Sequence, residues 1–177
     1  MGTRRLRGSR LVWGLSLAWA LAGLTPASAS AGPEKLTAGW IERVHLFPGL
    51  LPIVAKLDTG AAHSSLHVPH VEEFERDGES WVRFDVVTRD GQQASFERKV
   101  RRTALIKRKR AESQERPVVT LGICLGSVYR EVQVNLVDRH RFRHDMLIGR
   151  SFLKNEIVVD PSIKYTVQPD CQVPMPK

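Results

Sequence analysis

The chain has 177 residues, with 27 lysines and arginines against 19 acids and a formal charge of +8. That length allows one domain with a true hydrophobic core. Arg4, Arg5, Arg7 and Arg10 lie in residues 1–31 with no acid beside them, so the remainder carries only +4, a charge that does not call for a nucleic-acid partner.

The first stretch reads as a targeting segment. A basic head precedes an apolar run from Leu11 to Leu24, broken only by Gly14, Ser16 and Gly23. Small residues follow, offering Ala27-Ser28-Ala29 or Ala29-Ser30-Ala31 as cleavage sites. This is the layout of a secretory signal peptide over residues 1–31. An uncleaved anchor is the alternative, but the run falls short of the roughly 20 apolar residues that span a bilayer. The expected location is therefore periplasmic or secreted, with no stable membrane span after cleavage. In an oxidising compartment Cys124 and Cys171 form either a disulfide or two separate thiols. The sequence leaves both open.

Residues 32–38 read as a linker, 39–168 as the domain and 169–177 as a loose tail. Trp40 to Phe47 alternates like a strand, Pro48-Gly49 is a turn, and Leu51 to Leu57 is a second strand. Ser64 to Val68 is short and extended, closed by Pro69. Val71 to Arg76 and Trp81 to Thr88 flank Asp77-Gly78, a strong hairpin signal. After the Asp90-Gly91 turn, Ala94 to Ile106 reads as one extended, charged segment. Lys107 to Arg116 has almost no apolar content and reads as a solvated loop or the tip of a long hairpin. Pro117 to Leu125 and Val128 to Val137 are strands around Gly126-Ser127. Met146 to Ile148 runs into Gly149, Ser151 to Asn155 makes a short helix, and Ile157 to Val159 and Ile163 to Val167 are the last strands. The sum is nine or ten strands and one short helix: an all-β fold, closed to hide its edges.

The chemistry centres on Lys56 to Ala61, K-L-D-T-G-A. An apolar strand delivers one carboxylate, Asp58, to a turn that Thr59 anchors and where Gly60 admits close backbone approach. The later run Leu147-Ile148-Gly149-Arg150 can pack beside that turn. This pairing resembles the retropepsin family of aspartic peptidases, and implies a closed retropepsin-like barrel with one short helix near the C-terminus. G-W-I-E-R-V, S-S-L-H, F-E-R-D-G-E-S-W-V-R-F, V-N-L-V-D-R and V-V-D-P-S extend the resemblance to a bacterial family of retropepsin-like domains often labelled ATP-dependent zinc protease. Some of its members are linked to glutamate ligases and act on glutamate-containing tails, which implies a peptide or glutamate-containing acidic substrate.

The resemblance implies Asp58 as catalyst, Thr59, Gly60 and Ala61 as support of its turn, and Leu147, Ile148, Gly149 and Arg150 as the second motif. An aspartic peptidase needs two carboxylates sharing one proton. With a single Asp-Thr-Gly, the chain is expected to act as a homodimer. Ala61 lacks the hydroxyl that acid-active relatives carry, so activity is expected nearer neutral pH. Arg98 to Arg116 is the candidate flap, or else a basic surface loop; as a flap, Lys107, Arg108, Lys109 and Arg110 favour acidic substrates. Viral retropepsins pair the arginine matching Arg150 with an acid after Asp-Thr-Gly-Ala. Here Ala62 and His63 stand there, so Arg150 needs another partner or serves the substrate.

Two alternatives remain. One is a zinc-dependent hydrolase using His63, His67 and His70; the other is a non-catalytic envelope binding module on the same barrel. On a strand, residues four apart lie about 13 Å from each other, too far to share a metal, and no Glu follows the first His. His140 and His144 share that spacing and read as surface residues. No Gly-rich phosphate loop ending in Lys-Ser/Thr is present. Neither zinc nor ATP is expected as a cofactor.

Overall fold

Alternating burial organises the strands. Along Leu51–Leu57 (β3), Leu51, Ile53, Ala55 and Leu57 are buried, while Pro52, Val54 and Lys56 are only partly so, the period of two expected of a half-buried strand. The computed structural model describes residues 34–108 and 111–172, the side chains at 107, 108, 111 and 112 excepted. The signal-peptide reading of residues 1–31 and the tail beyond 172 lie outside the described residues.

Leu36–Gly39 (β1) and Ile41–Phe47 (β2) precede β3, and Ser64–His67 (β4) follows it. Val71–Arg76 (β5), Glu79–Val87 (β6) and Gln93–Lys99 (β7) make a three-stranded antiparallel sheet. Arg102–Arg108 (β8), Ala111–Leu125 (β9), Val128–Val137 (β10) and Met146–Ile148 (β11) lead to a one-turn helix, Arg150–Leu153 (α1), and a last strand, Ile157–Asp160 (β12). The order β10-β4-β11-β3-β2-β9 closes on itself through the β9–β10 pairing, and β8 extends it from β9. The result is a six-stranded closed barrel, as the resemblance implies. Leu46, Leu66, Leu121, Ile123, Leu136, Met146, Ile148 and Phe152 of α1 fill it with side chains almost wholly removed from water.

The structure differs from the sequence reading in several places. Twelve strands form among the described residues, more than the nine or ten expected. The segment Ala94 to Ile106 is not one strand: it breaks at Val100-Arg101, and β7 and β8 join different sheets. Of the two readings for Lys107 to Arg116, the long hairpin is the one found: β8 runs to Arg108, opposite Ala111 at the start of β9, with residues 109 and 110 outside the described ones. Within the presumed linker, β1 pairs in parallel with β12, Leu36 opposite Ile157.

Ile163 to Val167 is not a strand either. It is an irregular strap along the start of β2, where the Trp40 N–H donates to the Ile163 carbonyl and the Tyr165 N–H to that of Ile41. The approach is close enough that a Cβ on Gly39 would meet the Ile163 carbonyl oxygen at 2.5 Å, so only glycine fits there. Glu42, fully buried on β2, holds the strap: its carboxylate accepts from the Gly39 N–H (2.7 Å), the Thr166 N–H and hydroxyl (2.9 and 2.7 Å) and the Val167 N–H (3.3 Å). Beyond it, the Asp170 N–H donates to the Gly126 carbonyl. Cys171 is bonded to Cys124 of β9. The described part of the tail is therefore tied down, and of the two readings for the cysteines the disulfide is the one found.

Candidate active site

β3 carries Asp58 to its place because β11 lies beside it in parallel, with Leu147 opposite Lys56 and Ile148 opposite Leu57. The Asp58 N–H donates to the Ile148 carbonyl at 2.8 Å. The chain then turns: the Ala61 N–H donates to the Asp58 carbonyl at 3.2 Å, and the Gly60 N–H donates to Asp58 Oδ1 at 3.0 Å. The turn thus orients the carboxylate through a backbone donor. Lys56, two residues earlier on the same face of β3, places Nζ 3.4 Å from Oδ2.

The second motif braces this turn from behind. A Cβ on Gly149 would stand 2.6 Å from the His63 carbonyl oxygen, backbone that cannot yield cheaply, so the position demands glycine. The Gly149 N–H donates to Ser64 Oγ. The N–H groups of Arg150 and Ser151, unpaired within their short helix, donate to the Ala61 and Ala62 carbonyls at 2.9 and 3.0 Å. Arg150 also reaches round with its guanidinium, and Nη1 donates to the carbonyls of Thr59 (3.0 Å) and Gly60 (2.9 Å). The partner that the sequence could not supply is therefore backbone. One arginine holds the turn by its main chain and its side chain together.

Asp58 opens into a pocket of about 340 Å³ lined by Trp40, Lys56, Leu57, Thr59, Val159 and Pro161. Trp40 is shared with an adjoining cavity of about 330 Å³ that includes Arg89, Arg143, His144, Asp145 and Lys164. His144 packs edge-on against Trp40. Its imidazole is held below its ordinary value, first by burial and then by the nearby cations Arg89, Arg143 and Lys56. It is therefore part of a cavity wall, not merely a surface residue. Further back, Arg139 is buried, donating to Ser65 Oγ and the His144 carbonyl. Burial pushes its guanidinium below the ordinary value, Arg116 adds to that, and the charges of Asp145 and Asp58 oppose it. The basic cluster Lys107 to Arg110 lies outside what is described of side chains.

The three histidines of the zinc alternative do not converge. His63 precedes β4 and is exposed, with its carbonyl against Gly149. His67 ends β4, and its Nδ1 accepts from the Arg139 N–H at 2.8 Å. His70 is exposed before β5, in a different cavity with Glu72 and Arg83. Among the described residues, no group of three or more His, Cys, Asp or Glu side chains is placed to hold a metal. Sequence reasoning gave no role to Lys56, Ser64 or Trp40. Lys56 was within reach, since on a strand two residues' spacing puts it on the face of Asp58.

A closed six-stranded barrel, an Asp-Thr-Gly turn and a crossing Leu-Ile-Gly strand followed by a short helix define the retropepsin-like class. The chain belongs to the RimB-like family of retropepsin-like aspartic endopeptidases, which it matches over residues 37–170. It is similar to the probable alpha-L-glutamate ligase of Shewanella pealeana, 35% identical over 120 residues that cover 66% of this chain and 26% of that protein. The ligase of the same name from Shewanella halifaxensis is 33% identical over the same shares. The chain thus spans about a quarter of the length of these curated relatives. Its fold is similar to the crystal structure of Lpg0085 from Legionella pneumophila, a protein of unknown function, with TM-score 0.67 and 35% identity over 76% of this chain and all of that one.

Proposed function

We propose that the protein is an exported aspartic endopeptidase whose catalytic pair is Asp58 of one copy and Asp58 of a second. The observation that carries this reading is the turn itself. One carboxylate, oriented by the Gly60 N–H and fixed from behind by β11 and Arg150, faces an open pocket that holds no second acid among its lining residues. Two such carboxylates brought together cannot both ionise, so they share a proton. The ionised one takes a proton from water as the oxygen attacks the scissile carbonyl carbon. The protonated one gives its proton to the carbonyl oxygen, forming a tetrahedral diol. Collapse of the diol breaks the C–N bond and returns a proton to the leaving amine. No metal or nucleotide is required for these steps.

A glutamate-containing peptide is the proposed substrate class. Lys56, and beyond it Arg89, Arg143 and Lys164, border the two cavities that meet at Trp40 and favour anionic side chains. The name of the relatives, glutamate ligase, agrees with that chemistry. The Cys124–Cys171 disulfide supports a periplasmic or secreted location.

The test is cleavage of a glutamate-rich peptide library by the purified protein, its Asp58→Asn variant and the wild type in the presence of a chelator. Cleavage by the wild type, its loss in Asp58→Asn and indifference to the chelator are expected. Cleavage by Asp58→Asn at the wild-type rate refutes the assignment. Loss with the chelator points instead to the His63, His67 and His70 reading, and no turnover of any peptide to a binding module.

A further inference from the structure

Lys56 stands on the open face of β3. Pro52, Val54 and Lys56 are the less buried set of that strand, and the same alternation puts Asp58 next in the row. Val54 walls the cavities beside Trp40 and Arg43, and Lys56 walls the pocket of Asp58. The core makes no use of this lysine. Its side chain is 40% exposed, and Asp58 is the one hydrogen-bond partner of its ammonium among the described residues.

The two oxygens of Asp58 are held differently. Oδ1 accepts from the Gly60 N–H at 3.0 Å, a bond built into the turn. Oδ2 is the oxygen left to meet water, a shared proton or a second carboxylate. It is also the one that Lys56 Nζ occupies, at 3.4 Å. An ammonium beside a carboxylate favours the charged form. In a pair of carboxylates each so occupied, two cations balance two anions, no proton is shared, and the pair lacks its acid. In water an exposed contact of this kind is weak and easily given up. A bound peptide excludes that water and strengthens whichever contact the lysine then keeps.

Resting on the dyad reading, we infer that Lys56 guards Asp58, and that an acidic substrate side chain next to the scissile bond releases it. The ammonium exchanges one carboxylate for another, and no proton moves in that exchange. Oδ2 is then free, and the two Asp58 carboxylates share the proton that hydrolysis requires. A neutral peptide offers Lys56 no other anion, so the ammonium stays on Asp58 in the water-poor cleft. Selection is therefore made at the chemical step: a neutral peptide binds but is turned over slowly. Attraction by Arg89, Arg143 and Lys164, further along the cavities, acts on binding instead and leaves kcat unchanged.

Matched peptides that carry Glu, or its neutral isostere Gln, on both sides of the scissile bond test this. The wild type should cleave the Glu peptide with a kcat at least about tenfold above that for the Gln peptide. Lys56→Met removes the ammonium and keeps the bulk. It should cleave the Gln peptide at least about tenfold faster than the wild type does, with similar kcat for the two peptides. Lys56→Gln should behave in the same way, and Lys56→Arg should keep the wild-type preference. A gain of activity on a neutral peptide is not what damage to packing produces. If Asp58→Asn is inactive, a preference that survives in both Lys56→Met and Lys56→Gln overturns the guard while the dyad stands. So does a wild-type preference that lies in KM with kcat equal. Cleavage by Asp58→Asn at the wild-type rate, or of neither peptide by the wild type, removes the dyad reading and the guard with it.

Discussion

Replacing Glu42 by glutamine isolates the latch that holds the C-terminal strap. The wild-type carboxylate is fully buried and accepts from four donors, three of them backbone N–H groups. Glutamine keeps the shape and one carbonyl oxygen, which can still serve Gly39 and Thr166 on the Oε1 side. Its amide group then points donor against donor at the Val167 N–H. Charge-assisted hydrogen bonds contribute about 1.5–3 kcal/mol each, against roughly 1 for neutral ones. Several bonds thus weaken and one donor is stranded, while relief of the buried charge's desolvation offsets part of the loss. The expected net cost is about 2–3 kcal/mol. For a domain of this size that lowers the melting temperature by roughly 6–12 °C. Glu42→Leu, which takes the acceptor from the Thr166 N–H and hydroxyl and from the Val167 N–H while Gly39 keeps only Thr166 Oγ1, should cost more. Thermal unfolding followed by circular dichroism checks the pair. A Glu42→Gln variant within about 0.5 kcal/mol of wild type would refute the latch.

The Cys124–Cys171 bond closes a 47-residue separation, which in the chain-entropy description stabilises the fold by about 4 kcal/mol. Cys171→Ser, or added reductant, should lower the melting temperature by more than the Glu42→Gln change; an unchanged melting temperature would show that the strap holds without it. His144 gives a pH dependence. Burial and nearby cations keep its folded-state value below the ordinary imidazole value. The unfolded chain therefore binds its proton first as the solution is acidified. Stability is unaffected above the ordinary value of about 6.5 and falls as the pH drops from there towards the lower folded value. His144→Phe should flatten the decline in melting temperature between about pH 7 and about pH 5. An unchanged slope would mean that another group carries it.

Much of the barrel was legible because period-two alternation and turn residues act locally. β2, β3, the β5–β6 hairpin around Asp77-Gly78 and β9–β10 around Gly126-Ser127 follow from residues within a few positions of each other. The Asp58 turn and the Gly149 run were legible for the same reason. What escaped depends on partners distant in the chain. The break at Val100-Arg101 arises because β7 and β8 serve different sheets, which no local pattern records. Arg150 seemed to lack a partner because a search for an acid cannot find carbonyl oxygens. Glu42 stood in an alternating strand as one more polar residue. Its burial follows from Thr166 and Val167, more than 120 positions later.

One segment accounts for much of what the sequence did not show. From Ile157 to Cys171 the chain supplies the pocket walls Val159 and Pro161, the further cavity walls Lys164 and Tyr165, and the two fastenings at Glu42 and Cys124. Asp58 itself is held by β11 and Arg150, which do not depend on the strap. Loosening the strap therefore separates two properties that unfolding as a whole would remove together. The turn that orients the carboxylate is expected to survive, while the pocket wall is lost by local opening. Under the proposed function, the fastenings far from Asp58 are then conditions of the pocket beside it as well as of the fold.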